Sequence, residues 1–169
     1  MCCRDCARRG DDNFVKRPEQ VDVQKVFRPN FKGSVRITMG AKILIVEDEV
    51  LVAWNMKDIL EANGFECVDI APDLETAGRY FGDSIDLALV DLNLRDGLTG
   101  PQIGAQLSAK GTRVIFITAN PAQIGDGIAG TIGVLTKPTD DETLLAAVQY
   151  ALRTADEAVA PPTALKLFG

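Results

Sequence analysis

The chain has 169 residues, 46% of them apolar and 25% charged, with 18 Lys/Arg against 24 Asp/Glu for a formal net charge of −6. That is the composition of one ordinary globular domain with some tail to spare. No apolar run nears the ~20 residues of a membrane span and no apolar core follows the basic N-terminus as a secretory signal requires, so a cytoplasmic protein is the default.

Residues 1–38 hold no sustained helix or strand period, and Pro18 and Pro29 interrupt what pattern there is. They read as a disordered N-terminal arm. Cys2, Cys3 and Cys6 cluster there without a fourth Cys or any His, which makes a poor zinc site. Met39 stands directly before the first convincing strand, and the residues upstream of it read as an arm the fold does not need.

Lys42–Asp48, "KILIVED", is a short apolar run ending in acids, too short for a helix and rich in β-branched residues, so it predicts a buried strand. Residues 49–64 follow as a helix, with Val52, Met56, Ile59 and Leu60 at helical spacing and Gly64 as its C-terminal cap. "ECVDIA" (66–71) is a second strand in which Cys67 is a small core residue, and Asp73 caps a short helix through Phe81. "DLALVD" (86–91) is a third strand. Pro101 opens a helix that runs to Lys110, with Gly111 just past its end.

"RVIFIT" (113–118) and "IGVLT" (132–136) are a fourth and a fifth strand. Between them Pro121 can open a helix, but Gly125, Gly127 and Gly130 each cost about 1 kcal/mol there relative to Ala, so a short or mobile helix is expected. Residues 140–155 form a helix with acids in its first turn and Leu144, Leu145, Val148, Ala151 and Leu152 on its apolar face. Residues 156–169, with Pro161 and Pro162, read as a flexible tail.

Strands alternate with helices, and four of the strands are apolar throughout, as strands covered on both faces are. The pattern predicts an α/β fold: a doubly wound, five-stranded parallel sheet with helices on both faces. Ligands of such sheets bind at the carboxyl ends of the strands. There the sequence collects Glu47 and Asp48 after the first strand, Asp91 after the third, Thr118 at the end of the fourth and Lys137 after the fifth.

Two carboxylates ~4 Å apart repel by about 4 kcal/mol at an effective dielectric of 20. Glu47, Asp48 and Asp91 therefore need a counter-charge. Magnesium, which takes a few carboxylates, a carbonyl and several waters, supplies one, and Lys137 a second. A carboxylate among such groups can act as a nucleophile toward phosphorus.

Together and in this order, Glu47-Asp48 after "KILIV", Asp91 after "LALV", Thr118 in "FITAN" and Lys137-Pro138 in "LTKP" resemble the receiver domain of two-component response regulators, a flavodoxin-like fold. The resemblance spans residues 41 to about 155 and implies a receiver domain over 39–155. It implies that Asp91 accepts a phosphoryl group from a histidine on a partner, either a sensor histidine kinase or a histidine phosphotransfer protein. The chain itself has no histidine, so the donor has to come from elsewhere. It implies that Asp48, Asp91 and the Asn93 backbone carbonyl bind Mg2+, with Glu47 acting through water, and that Thr118 and Lys137 contact phosphoryl oxygens. Val134 stands three residues before Lys137, where the family often carries Tyr or Phe as a rotameric switch.

Residues 156–169 are too few for an output domain, so a stand-alone receiver acting through protein partners is expected, with the partner surface over 120–155. Residues 1–39 carry a charge balance of +4 and residues 40–169 one of −10, a poor footprint for nucleic acid. An aspartyl-nucleophile phosphatase is the enzymatic alternative. It needs an acid two residues after its nucleophile, where Asn93 stands and cannot protonate a leaving group. A degenerate receiver that binds partners without phosphorylation is the other alternative.

Overall fold

A computed structural model of the protein describes residues 40–154 and 158–169. The N-terminal arm predicted over 1–38 lies outside them. In chain order the elements are β1 (Lys42–Val46), α1 (Val50–Ala62), β2 (Glu66–Ala71), α2 (Leu74–Gly78), β3 (Leu87–Val90), α3 (Gly100–Ala109), β4 (Arg113–Thr118), a 3-10 turn (Pro121–Ile124), β5 (Gly133–Thr136), α4 (Asp141–Leu152) and β6 (Lys166–Leu167).

The strands lie in the order β2-β1-β3-β4-β5-β6, with β1 to β5 parallel. Alternate side chains of one strand point to opposite faces, so each central strand feeds two cores. Ile43, Ile45, Leu87, Leu89, Ile115, Ile117 and Leu135 pack under α1 and α4 with Met56, Leu60, Leu144 and Val148. Leu44, Val46, Ala88, Val90, Val114, Phe116 and Val134 pack on the other face with Ala77, Ile103 and Leu107 of α2 and α3. Burying one such aliphatic side chain stabilises the fold by about 1.5–3 kcal/mol. Burial on both faces is why these strands read as unbroken apolar runs. Among the described residues no helix is long and apolar enough to cross a membrane.

Helix α3 sits unusually close to the sheet. A Cβ on Gly100 would collide with the Asp91 carbonyl, and one on Gly104 would enter the ring of Phe116. The two glycines lie one turn apart and give α3 a flat face.

Three expectations need correction. The sheet has six strands rather than five, because β6 pairs antiparallel with β5 through Gly133–Leu167 and Val134–Lys166. The tail expected to be flexible over 156–169 is therefore anchored at residues 165–168, with Leu165 buried. Between β4 and β5 the short helix that was expected is present as a four-residue 3-10 turn, since the positive φ angles of Gly125, Gly127 and Gly130 stop any longer one. The helix after Asp73 ends at Gly78 rather than Phe81, although Asp73 does cap it, accepting from the Thr76 N–H at 2.7 Å.

Candidate functional site

β1 and β3 are neighbours, and the chain leaves them in opposite directions across the sheet. Their carboxyl ends thus flank the crevice where such sheets bind ligands. The main chain sets the geometry: the Asp91 N–H donates to the Val46 carbonyl at 2.9 Å, and the Glu47 N–H to the Ala71 carbonyl at 3.0 Å. Those bonds place Glu47 and Asp91 side by side, just past the last paired residues.

Both side chains are nearly sealed from water, with Glu47 1% and Asp91 7% exposed. Between them lies the Lys137 ammonium. Its Nζ donates to Glu47 Oε2 at 2.6 Å and to Asp91 Oδ2 at 2.6 Å. Lys137 arrives there because its own N–H donates to the Thr118 carbonyl at 2.9 Å, which extends the β4–β5 ladder by one residue. The Lys137–Pro138 peptide is cis. Burial pushes the Glu47 carboxyl above its ordinary pKa even though the hydrogen bond and charge of Lys137 oppose it. For Lys137 burial acts downward, but the hydrogen bonds to Asp91 and Glu47 prevail and hold its pKa above the usual lysine value. The cation that balances Glu47 and Asp91 in this arrangement is Lys137.

Thr118 is fully buried at the end of β4, and its hydroxyl oxygen accepts from the Asn120 N–H at 3.2 Å. Asp48 is half-buried in the turn into α1. Asn93 meets the cluster through its backbone N–H, which donates to Asp91 Oδ1 at 3.3 Å. The sequence-predicted residues therefore come together in two tiers. Glu47 and Asp91 are both bonded to Lys137. Thr118, Asp48 and Asn93 stand around them on the ends and loops of three strands.

Among the described residues no three Cys, Asp or Glu side chains converge as a metal cage. Magnesium does not need one: it takes one or two carboxylates and keeps several waters. The oxygens that could hold it, those of Asp48, Asp91 and the main chain of the β3–α3 loop, are hard donors that suit magnesium better than zinc or copper.

Several residues that hold the site could not be read from the sequence. The Asn93 side chain donates to Gln123 Oε1 at 2.6 Å. Arg95 pairs with Asp73. Asp96 accepts from the Leu74 N–H at 2.9 Å and from the Thr99 hydroxyl at 2.6 Å. Apart from the local Thr99–Asp96 bond, these ties join segments more than 20 residues apart, and no spacing rule connects them. Beside the site, a groove of about 520 Å³ is lined by Leu51, Val52, Met56, Ile59, Pro138 and Leu144 and reaches Lys137. Of its lining, Leu51 is exposed, and Val50 and Trp54 of the same helix α1 are exposed too.

Comparison with known proteins gives one answer. The model of the response regulator receiver domain matches residues 43–149. The chemotaxis protein CheY of Bacillus subtilis is 32% identical over 120 residues, which cover 68% of this chain and 99% of that protein. The sensory transduction protein RegX3 of Mycolicibacterium smegmatis is 30% identical over 115 residues, 66% of this chain and 50% of that protein. This chain spans about half the length of several curated relatives it matches. Among solved structures, the receiver domain of the response regulator PhyR from Erythrobacter litoralis superposes with a TM-score of 0.62 at 26% identity, covering 72% of this chain and 97% of that one.

Proposed function

This chain belongs to the response regulator receiver domain family, a family of signalling domains, and on that premise we propose that it is switched by phosphorylation of Asp91. The donor is a phosphohistidine on a separate kinase or phosphotransfer protein. An Asp91 carboxylate oxygen attacks the phosphorus, an O–P bond forms as the P–N bond breaks, and the leaving imidazole takes up a proton. The observation that carries this reading is the Lys137 ammonium between Glu47 and Asp91 at 2.6 Å from each. It sits where charge on the transferring oxygens has to be balanced.

In this reading Lys137 passes from the Asp91 carboxylate to a phosphoryl oxygen, and Thr118, three residues before the 3-10 turn, takes another. Asp48, Asp91 and the Asn93 carbonyl hold magnesium, with Glu47 acting through water. When bound, the ion neutralises the phosphoryl oxygens. The donor protein has to touch the rim of the pocket to bring its histidine to Asp91; Leu51, which lines the groove that reaches Lys137, is exposed, as are its α1 neighbours Val50 and Trp54. We assign them to donor docking. Output goes to a protein partner over 120–155 rather than to nucleic acid, in keeping with the acidic balance of residues 40–169.

The test is intact mass after incubation with acetyl phosphate and magnesium. One added phosphoryl group, absent from Asp91→Asn, supports the reading. Turnover of phosphate esters without an adduct favours the phosphatase alternative, and no reaction favours the degenerate receiver.

A further inference from the structure

The β4–β5 connection is too short to cover its part of the sheet. The four-residue 3-10 turn leaves the α2/α3 face beside β5 without a helix. The C-terminus fills that place. The Phe168 ring packs in the same core as Phe116, Ile124, Ile128 and Val134. It lies 6.3 Å from the Phe116 ring, tilted by 50°. Leu165, three residues earlier, is buried on the opposite face among α1 and α4 side chains. The tail thus grips the β5 edge from both sides.

Two glycines are shaped to this grip. Gly127 has φ +102°, and a Cβ there would enter the Phe168 ring. At Gly133 a Cβ would collide with the Lys166 carbonyl. The Phe168 N–H also donates to the Ile132 carbonyl at 3.0 Å. The sheet pairing itself is only two residues long, so the attachment is local and can open without unfolding the core.

The grip touches both strands that carry the pocket's movable groups. Phe116 lies two residues before Thr118 on β4, and Val134, paired with Lys166, lies three before Lys137. Val134 is small, β-branched and buried, with no swing of its own. The aromatic ring at this end of the sheet comes instead from Phe168.

We propose that the C-terminal strand is a latch on the β5 edge, coupled to the Asp91 pocket: loading the pocket draws Thr118 and Lys137 inward, shifts the Gly127 segment and releases Phe168. The tight fit at Gly127 gives the direction, since a ring with no room beside it loses its seat when the segment moves. Release bares the β5 edge, whose unpaired groups can accept an extended strand of a protein partner. The coupling rests on the phosphoryl-acceptor reading above.

The experiment loads the full chain with beryllofluoride and magnesium, follows occupancy by 19F NMR and reads amide exchange at 132–134 and 165–168. Loading is expected to speed exchange at those amides. Because coupling is reciprocal, Phe168→Ala should bind beryllofluoride at least about five-fold tighter than the parent. Phe168→Leu, which keeps bulk but no ring, guards against a misfolded Ala variant and should fall between. Full occupancy with unchanged exchange and equal affinities overturns the latch and leaves the acceptor reading standing. Slower exchange on loading overturns the release. Absence of loading in every protein overturns the acceptor reading and the latch with it.

Discussion

The Asn93 side chain donates to Gln123 across 2.6 Å, tying the loop after β3 to the turn after β4. Asn93 also donates its N–H to Asp91 Oδ1, so on the proposed acceptor reading the tie bears on how water reaches an acyl phosphate there. Gln123→Ala is expected to shorten the lifetime of phosphorylated Asp91 severalfold, measured by loss of the phosphorylated mass over time. Stability should change little, because one exposed hydrogen bond contributes only about 0.5–1.5 kcal/mol.

Lys137→Met removes the only cation bonded to Glu47 and Asp91 among the described residues. Breaking a buried pair in this way typically costs about 3–5 kcal/mol. The loss should shrink on acidification. Glu47 already titrates above its ordinary value, so the folded state binds a proton there more readily than the unfolded chain and gains stability as pH falls through that range. Urea denaturation at pH 7 and pH 5 checks this, and an equal loss at both values contradicts it.

Magnesium should raise the thermal midpoint, since it binds the folded carboxylate site and not the unfolded chain. Asp48→Asn should weaken that response by an order of magnitude in magnesium concentration without lowering the midpoint in EDTA. Coincident melting curves in EDTA and millimolar magnesium would count against the assigned ligands.

Gly104→Ala places a methyl group in the Phe116 ring. Overpacking of this kind costs about 1–3 kcal/mol, against a helix-propensity gain of about 1 kcal/mol. A net destabilisation in urea is expected, with an unchanged m-value. Gly111→Ala, where φ is +92° and space is open, should cost stability by strain alone.

Acid should loosen the α2 end before the core. Hydrogen bonds from Thr76, and then Arg95, hold the Asp73 carboxyl at about 2, below its ordinary 3.8. Its stabilisation is complete above 3.8 and is lost as pH falls toward 2. Asp73→Asn should flatten that part of the stability curve. At the alkaline end, Lys137 keeps its contribution below 10.5 and loses it as pH rises through its raised value.

The strands and the grouping of the candidate residues were legible because burial on both faces writes itself as apolar runs, and each run stops at a candidate site residue: Val90 before Asp91, Ile117 before Thr118. The latch was not. Two paired residues carry no period, and Pro161-Pro162 ahead of them is the usual mark of loose chain. Gly127 and Gly133 explain the error. A glycine in sequence registers as lost helix propensity, whereas these two make room for Phe168 and for the Lys166 backbone, some 40 and 30 residues further along the chain. The ties of Arg95 to Asp73 and Asn93 to Gln123 escaped for a similar reason, since polar residues in separate loops show no pattern until the fold brings them together.

The contact between Gly100 and the Asp91 carbonyl has a mechanical consequence. With α3 pressed against that carbonyl, Leu92 and Leu94 buried, and Asp96 fastened to Leu74, the stretch from 91 to 100 has little freedom to travel. Asp91 therefore serves as an anvil. Any work done by a new group on its carboxylate is delivered to the opposite bank, where three glycines with positive φ follow β4. A disturbance at Asp91 is therefore expected to pass more readily toward that bank than into α3.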